Sequence, residues 1–541
     1  MTKIGLIGIN SKYIHPNMAI RILYNDLRQH HIGCEMIESN IKEDMDTLID
    51  KIKDFEIVCF SVYIFNVTLI KELTFKLKAI NPKLIIILGG PEVSYSNSQD
   101  LQDIAFDYVV CGEGEQVLVD LIAYINKDID IIPSSVTYKK DNEIVLNTSI
   151  NEVPLDYTKD LTNDFSLVDL DNQIAYLETS RGCPYLCAYC LASLDNHVRL
   201  FDLDLIKAKI DELISKKAKM VKLLDRTFNF NVVRTNELIS YIIEKDNLYT
   251  TFQLEITGEL LSPSTIQLIN DQARPSLFRF EIGIQSTNPL SNKAVRRYQN
   301  FDKLKEIIIQ LQAADKIVFH LDLIAGLPFE DLTSFKKTFD DVFSLYPDEL
   351  QLGFLKLLKG TYLNESVVEY GYLFEKEAPY EIIQNQWLNR DDLAIIRGVE
   401  DALDHYYNKG KAKDFITFYL KEHTISPFDL LRILSKHIYR GIDVYNLFVN
   451  LIEQIELTFD DKIVLFKNYY GRSNGKVKSL YKVESKRELL HLLSEQDNQN
   501  TRNVFKYACV DQIDNENYFI YKVDDQSCYL ANMKDGYINE I

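Results

Sequence analysis

An apolar run, Ile174 to Leu177, leads into Arg181-Gly182-Cys183-Pro184-Tyr185-Leu186-Cys187-Ala188-Tyr189-Cys190, a C-x3-C-x2-C spacing. Three thiolates packed into eight residues can hold three irons of a cubic iron–sulfur cluster and leave the fourth iron without a protein ligand. Four-iron clusters are ordinarily closed by four thiolates, and an open metal position separates a catalytic site from a closed structural one. The absent fourth cysteine is therefore the informative part of the loop. The competing reading is a zinc knuckle lacking a ligand, or three buried thiols. A zinc site needs a fourth Cys or His nearby, and the candidate, His197, follows seven residues after Cys190, past the usual zinc-loop spacing.

A chain of 541 residues, 46% of them apolar, is long enough for about three domains with real cores. A formal charge of −20 argues against a nucleic-acid partner, because phosphate contacts need clustered Lys and Arg. It leaves room for a small-molecule substrate, since net charge says little about one pocket. No apolar run approaches the about 20 residues of a membrane span. Ile4 to Ile9 is too short for a secretory core and reads as a strand. These features predict a cytoplasmic protein without a membrane partner. Of eight cysteines, five are scattered (Cys34, Cys59, Cys111, Cys509 and Cys528), which suits a reducing compartment better than a disulfide framework.

Residues 1–140 alternate short apolar runs (Lys3–Ile9, Gly33–Ile37, Glu56–Ser61, Lys83–Leu88, Tyr108–Cys111) with amphipathic stretches such as Met18–His30 and Leu69–Ile80. This pattern predicts an α/β fold with a doubly wound parallel sheet. Ligands of such sheets bind at the carboxyl ends of the strands. Those ends carry Ser61, Gly89-Gly90-Pro91 and Gly112-Glu113-Gly114-Glu115, whose glycines allow close backbone approach to something large and flat. The first turn has no G-x-G-x-x-G pattern, which disfavours a nicotinamide cofactor. Residues 141–170, with Asn142, Asn147, Asn151 and an Asp-rich stretch, read as a connector.

Residues 171–365 alternate again, with strand candidates Ile174–Glu178, Met220–Leu224, Thr251–Ile256, Phe278–Ile284, Val318–Ile324 and Glu349–Lys356. Six strands with helices between them, such as Leu205–Lys216 and Thr235–Glu244, predict a partial (β/α)6 barrel, whose functional groups belong at the carboxyl ends of the strands. Glu255, Glu281, Gln285, Ser286, Arg297 and Asp322 fall there. Each also has a plain reading: a strand-end Glu often caps a helix, and Arg297 beside Arg296 suits a solvated face. Asp225-Arg226-Thr227-Phe228-Asn229 is either a functional acid or a turn, and Lys356 faces either substrate or solvent. Residues 366–541 have helical periodicity at Trp387–Tyr407, Lys413–Lys421 and Phe428–Tyr439, then strand-like pieces at Val504–Val510, Tyr518–Val523 and Cys528–Asn532. This region carries no motif with readable chemistry, and its paired tyrosines Tyr406-Tyr407 and Tyr469-Tyr470 suit a core.

The cysteine loop, down to Tyr189 before the third cysteine, resembles the signature of the radical S-adenosylmethionine (radical SAM) enzymes. The resemblance implies a 4Fe-4S cluster on Cys183, Cys187 and Cys190. Its open iron would chelate SAM, and reductive cleavage would give a 5′-deoxyadenosyl radical. Glu281-Ile282-Gly283-Ile284-Gln285-Ser286, Arg297 twelve residues after Gln285, and Asp322-Leu323-Ile324-Ala325-Gly326-Leu327-Pro328 resemble the radical SAM oxidases of porphyrinogens. By that resemblance Glu255 and Gln285, with Ser286 and Tyr189 beside them, line the SAM site. Arg297 pairs the methionyl carboxylate, and Asp322 holds ribose hydroxyls.

The first block resembles the cobalamin-binding domain that precedes the radical domain in a large radical SAM subclass. Ser61, Gly89 and Gly90 match the residues around the buried cobalamin tail. The D-x-H-x-x-G loop of His-ligated cobalamin domains is absent: the turn reads Asn10-Ser11-Lys12-Tyr13-Ile14-His15. The resemblance therefore implies a lower cobalt face without a His ligand. That subclass also keeps an Asp near the cluster, where Asp225 falls. Methylthiotransferases share this domain order but ligate a second cluster through three cysteines of the first domain. Cys59 and Cys34 lie within strand patterns, where free cysteine acts as a small apolar residue.

The expected function is that of a cobalamin-dependent radical SAM enzyme performing methylation or rearrangement of a small molecule, with an external electron donor of flavodoxin or ferredoxin type. The alternatives are a radical oxidoreductase or cyclase that transfers no methyl group, and a cluster- or cobalamin-binding sensor without turnover.

Overall fold

Strands β1 (Ile4–Asn10) and β3 (Ile57–Ser61) are buried at every position, as happens when a parallel strand is covered on both faces and reads as a continuous apolar run. A computed structural model of the chain describes residues 2–141, 143–147, 149–162, 164–472, 477–483, 486–496 and 501–541; Asn142, part of the expected connector, lies outside them. With β2 (Cys34–Asn40), β4 (Ile85–Gly89), β5 (Tyr108–Val110), β6 (Val136–Lys140) and β7 (Glu143–Val145) the order is β2-β1-β3-β4-β5-β6-β7. The pairs from β2 to β5 are parallel, and β6 and β7 add antiparallel. Helices Met18–Gln29 and Val67–Ile80 belong to the expected alternation. Strand β7 occupies part of the stretch read as a connector, and its antiparallel partner β6 does not register among the expected runs. The pair is too short and polar to register as apolar runs.

The second sheet alternates instead of burying both faces. Strand β13 (Phe278–Gln285) is buried at Phe278, Phe280, Ile282 and Ile284 and half-buried at Arg279, Glu281, Gly283 and Gln285. One face packs under helices and the other, polar face lines the barrel lumen. In chain order the strands are β8 (Ala175–Leu177), a small antiparallel pair β9 (Ser180–Arg181) and β10 (Arg199–Leu200), then β11 (Met220–Leu223), β12 (Thr251–Glu255), β13 and β14 (Ile317–Ala325). Strands β8, β11, β12, β13 and β14 are neighbours in that order and all parallel. A sixth strand, β15 (Glu349–Phe354), follows along the chain. The α/β class, the two parallel sheets and the helical later region are those expected from the sequence. Among the described residues no helix is long and apolar enough to cross a membrane.

The chain divides into two units, Met1–Glu330 with Phe354–Asn389, and Asp331–Gly353 with Arg390–Ile541. Both sheets described so far belong to the first, apart from β15. In the second, helix Leu332–Phe343 meets helix Pro427–Leu434 through Phe335 and Phe339 against Phe428. A four-stranded antiparallel sheet, Ala508–Gln512, Asn517–Lys522, Cys528–Asn532 and Tyr537–Glu540, closes the chain. The expected strand Val504–Val510 is corrected: Thr501–Tyr507 is helical and the strand starts at Ala508. Val504 and Ala508, four apart, are both buried beside Leu489, Leu490 and Leu493, and that spacing lets a helix turn bury both. Tyr406, Tyr407 and Tyr470 are fully buried core residues.

Asp511 is a buried acid of this unit. It accepts from the Tyr470 hydroxyl, from Leu480 N at 3.1 Å and from Tyr481 N at 2.5 Å, and burial pushes its carboxyl up to about 6. A carboxyl whose folded pKa lies above its unfolded value stabilises most below the unfolded pKa, and that contribution is lost as pH rises through the folded one. Two units correspond to roughly 3 kcal/mol. In thermal melts of the whole chain, the stability advantage of wild type over Asp511→Asn should therefore shrink by about that much between pH 4 and pH 7. An advantage that is constant or growing with pH would contradict the assignment.

Candidate functional site

The cysteine loop is shaped at Gly182, where φ is +84° and a Cβ would stand 2.3 Å from the His197 carbonyl oxygen. Cys183 N donates to Asp195 O at 2.9 Å and Cys190 N to Cys187 O at 3.0 Å. Ala188 N donates to Val295 O, and Leu363 N to Ala188 O. Cys183 and Cys187 are buried and Cys190 is half-buried. Burial pushes the Cys183 and Cys190 thiols up, and the Arg226 guanidinium works against that rise at both. Cys183 Sγ lies 3.9 Å from Thr227 Oγ1, and Arg297 Nη1 lies 3.8 Å from Cys187 Sγ. Among the described residues no three His, Cys, Asp or Glu side chains converge on one metal ion. A cubic cluster takes one thiolate per iron, so its ligands need not share a point.

Asp225 is held by two hydroxyls. It is buried and accepts from Thr179 Oγ1 at 2.6 Å and from the Ser180 hydroxyl, anchoring the strand that enters the loop. Its neighbours Arg226 and Thr227 take the position beside the cysteines. Asn229 clamps Thr257 through both its amide atoms.

The lumen of the second sheet gathers Glu255, Gln285 and Asp322 with residues the sequence reading left out. Lys222 Nζ stands 3.0 Å from Glu255 and 2.9 Å from Glu281, and Gln253 Nε2 donates to Glu281 at 2.6 Å. Burial raises the Glu255 carboxyl, with Glu281 adding to the rise and Lys222 opposing it. At Glu281 burial again pushes upward, but Lys222, Gln253 and His320 together outweigh it and the carboxyl is lowered. On β14, His320 Nδ1 accepts from Arg279 Nη2 at 2.7 Å, and its Nε2 lies 3.0 Å from Asp322 Oδ1. That contact is off the hydrogen-bond axis, so the buried Asp322 Oδ1 has no aligned donor. Burial raises the Asp322 carboxyl. The signal for Lys222, Arg279 and His320 was present as charged residues at alternate positions inside apolar strands.

Gln285 sits at φ +68°, a left-handed conformation uncommon outside glycine, and its Oε1 is buried without a hydrogen-bond partner. A Cβ on Gly283 would stand 2.3 Å from Gln285 Nε2. Gly283 O also accepts from Arg297 Nη2, while Arg297 Nη1 reaches the Tyr189 hydroxyl at 3.4 Å. Arg297 is therefore not on a solvated face. The Ser286 hydroxyl donates to Glu330 at 2.6 Å and accepts from Asn288 N at 3.0 Å, so it shapes the turn after β13. Lys356 is exposed.

At the first sheet, Ser61 and Gly89 are register partners. Ser61 Oγ accepts from Asn17 Nδ2 at 2.8 Å, which leaves its own proton to donate. A Cβ on Gly89 would find its nearest neighbour at 3.9 Å, an open notch, whereas one on Gly90 (φ +109°) would meet Val62 O at 2.6 Å. His15 Nδ1 hydrogen-bonds the Tyr176 hydroxyl at 2.7 Å, and burial with the Lys12 and Lys222 cations lowers its pKa. Cys34 and Cys59 lie within strands, their thiols raised by burial.

The residues present fit three groups. Three thiols on one loop suit a cluster with an open iron. Two buried acceptors without aligned donors, Gln285 Oε1 and Asp322 Oδ1, with the Arg297 guanidinium beside Cys187, suit the amino, hydroxyl and carboxylate groups of SAM. The notch at Gly89 beside the Ser61 hydroxyl suits a nucleotide-like tail.

Known proteins point the same way. Residues 4–122 match the B12 binding domain model, residues 177–342 the Radical SAM superfamily model, and residues 368–512 a family described as a protein of unknown function (DUF4080). An uncharacterized methyltransferase of Pyrococcus horikoshii is 22% identical over 368 residues, covering 64% of this chain and 74% of that protein. The cobalamin-dependent radical SAM methyltransferase TokK of Streptomyces tokunonensis is 23% identical over 365 residues, covering 60% of this chain and only 50% of its own length. The structure of TsrM from Kitasatospora setae, a radical SAM methyltransferase with cobalamin and a [4Fe-4S] cluster bound, aligns with TM-score 0.58 at 13% identity over 87% of this chain and 100% of its own; at that identity it speaks for the fold alone. A cobalamin-type sheet, a cluster loop and a radical SAM barrel in one chain leave one conclusion: this protein belongs to the radical SAM enzymes that carry a cobalamin-binding domain, with a 4Fe-4S cluster, SAM and cobalamin as cofactors.

Proposed function

We propose that the protein is a radical methyltransferase of a small molecule. The observation that carries this is the pair of buried acceptors Gln285 Oε1 and Asp322 Oδ1, neither with an aligned donor, in a barrel whose cluster loop follows β8 and β9. The similarity to proteins described as methyltransferases favours methyl transfer over oxidation or cyclisation without it. In this reading residues 1–140 bind cobalamin, 141–170 connect, 171–365 form the radical domain and 366–541 complete the chain in a role of their own. The bound cofactors supply the electron transfer, radical and methyl-carrying chemistry, which no side chain provides.

The side chains bind and orient. Cys183, Cys187 and Cys190 hold the cluster. Arg297 pairs the methionyl carboxylate, Gln285 and Glu255 receive the amino and ribose groups, and Asp322 accepts ribose hydroxyls. Tyr189 and Ser286 keep Arg297 and the turn after β13 in place. Ser61, Gly89 and Gly90 receive the cobalamin tail. His15 is committed to Tyr176 and would not be free to ligate bound cobalamin. Electrons come from a flavodoxin- or ferredoxin-type donor, and the protein works in the cytoplasm.

Turnover with methyl-labelled SAM, dithionite and anaerobically reconstituted enzyme tests the reaction once a substrate is in hand. Label retained in the product is expected; 5′-deoxyadenosine with unlabelled product would indicate oxidation or rearrangement, and its complete absence a sensor. Cys187→Ala should abolish four-iron absorbance and 5′-deoxyadenosine formation together. Gly283→Ala, which crowds the Gln285 amide, should retain iron yet weaken SAM binding by about tenfold or more, the order of one or two lost hydrogen bonds to a charged ligand. Unchanged affinity in equilibrium dialysis would remove Gln285 from the site. Divalent cobalamin in the wild type should show a paramagnetic resonance spectrum without nitrogen splitting, unaltered by His15→Ala. Splitting that this variant removes would make His15 a ligand.

A further inference from the structure

The loop after β5, Gly112-Glu113-Gly114-Glu115, turns its carboxylates to the base of the cysteine loop. Glu113 takes both guanidinium nitrogens of Arg199, at 3.0 and 2.7 Å, and stands 3.3 Å from Arg181. Glu115 and Glu178 pair Arg181 at 2.8 and 3.0 Å. Asp195, whose carbonyl receives Cys183 N, pairs Arg199 at 3.0 Å. Arg181 and Arg199 face each other across the β9–β10 ladder, and Arg181 precedes Cys183 by two residues. Four carboxylates therefore surround two guanidiniums at the point where the chain enters and leaves the cluster loop, and Arg181 and Glu115 are largely buried.

A cluster's affinity for an electron depends on its net charge, hydrogen bonds and exposure, and charges in a partly buried network are weakly screened. Two of these carboxylates belong to the cobalamin-type sheet, so that sheet adds fixed negative charge to the loop base as well as holding it. We propose that Glu113 and Glu115 are positioning residues that set the reduction potential of the cluster through Arg181 and Arg199. This rests on the reading that Cys183, Cys187 and Cys190 hold that cluster.

The test uses the full chain, anaerobically reconstituted, with iron and sulfide counted per chain. The cluster is then titrated against redox-poised dithionite and followed by paramagnetic resonance. Glu113→Gln removes a negative charge and should shift the midpoint upward; Arg199→Gln removes a positive one and should shift it downward. Each shift should change the reduced-to-oxidised ratio at fixed poise by roughly three- to fivefold, the order expected for one charge at moderate screening. Iron content should stay at the wild-type level. Shifts in the same direction, or none with iron retained, would overturn the proposal, because loosening of the loop has no reason to follow the sign of the charge. If a single variant loses iron, the double variant Glu113→Gln with Arg199→Gln restores the balance and should recover both iron and a midpoint near wild type. Loss of iron in the double variant as well would make the network structural only. A wild-type chain that takes up no iron would overturn the cluster reading itself.

Discussion

Glu255 and Glu281 are register partners on adjacent strands of the barrel, and two carboxylates placed side by side in a half-buried lumen cannot both stay ionised unaided. Lys222, on the strand beyond, stands within 3.0 Å of both. Its ammonium carries three donors, enough to serve both acids at once. The two acids are split by it: Glu281, which also receives Gln253, is held low, while Glu255 stays raised by burial. Asp322 is raised by burial, with Glu281 adding to the rise and His320 and Lys222 opposing it. The ligand-facing end of the barrel therefore rests on a residue one layer beneath it.

The same logic governs the base of the cluster loop, with the signs reversed: there two guanidiniums are held by surplus carboxylates. Breaking a buried pair by removing one partner costs several kcal/mol, because the other charge stays behind. Both networks draw members from more than one strand end, so each fixes the relative placement of neighbouring strands as well as a charge. The first sheet supplies Glu113 and Glu115 to the loop base and His15 to Tyr176, and the stretch after β15 supplies Leu363 to the Ala188 carbonyl.

The legible part of the sequence was whatever is repeated or periodic. Continuous burial of β3 and the alternation of β13 follow directly from Ile57-Val58-Cys59-Phe60-Ser61 and from Phe278 to Gln285, because a two-sided and a one-sided strand bury different faces. The thiol loop was legible because three like ligands at close spacing are rare by chance. What could not be read is pairing over long separations. Nothing local says that Glu113 meets Arg199, that Lys222 meets Glu281, or that the Ser286 hydroxyl is taken by Glu330. The short polar strands β6 and β7 failed for a related reason: they extend the sheet antiparallel past β5, with β7 at its edge, where strands need little apolar surface. The helix Thr501–Tyr507 was misread because Val504 and Phe505 suit a strand until the burial of Ala508, one turn on, is taken into account.

Asp322 shows how these supports leave a buried acceptor open. A guanidinium only donates, so Arg279 fixes His320 Nδ1 as the bare nitrogen and Nε2 as the one carrying the proton. That proton is near Asp322 Oδ1 but off its axis, so the imidazole limits where the carboxylate can swing without occupying the acceptor outright. Gln285 is held in a comparable way, with its backbone in the left-handed region and its amide resting over Gly283. A buried acceptor left unpaired costs about 1–3 kcal/mol, and two stand in one lumen, each braced by neighbours that do not hydrogen-bond it fully. In the proposed reading, a ligand bearing an amino group and vicinal hydroxyls supplies the donors these two acceptors lack.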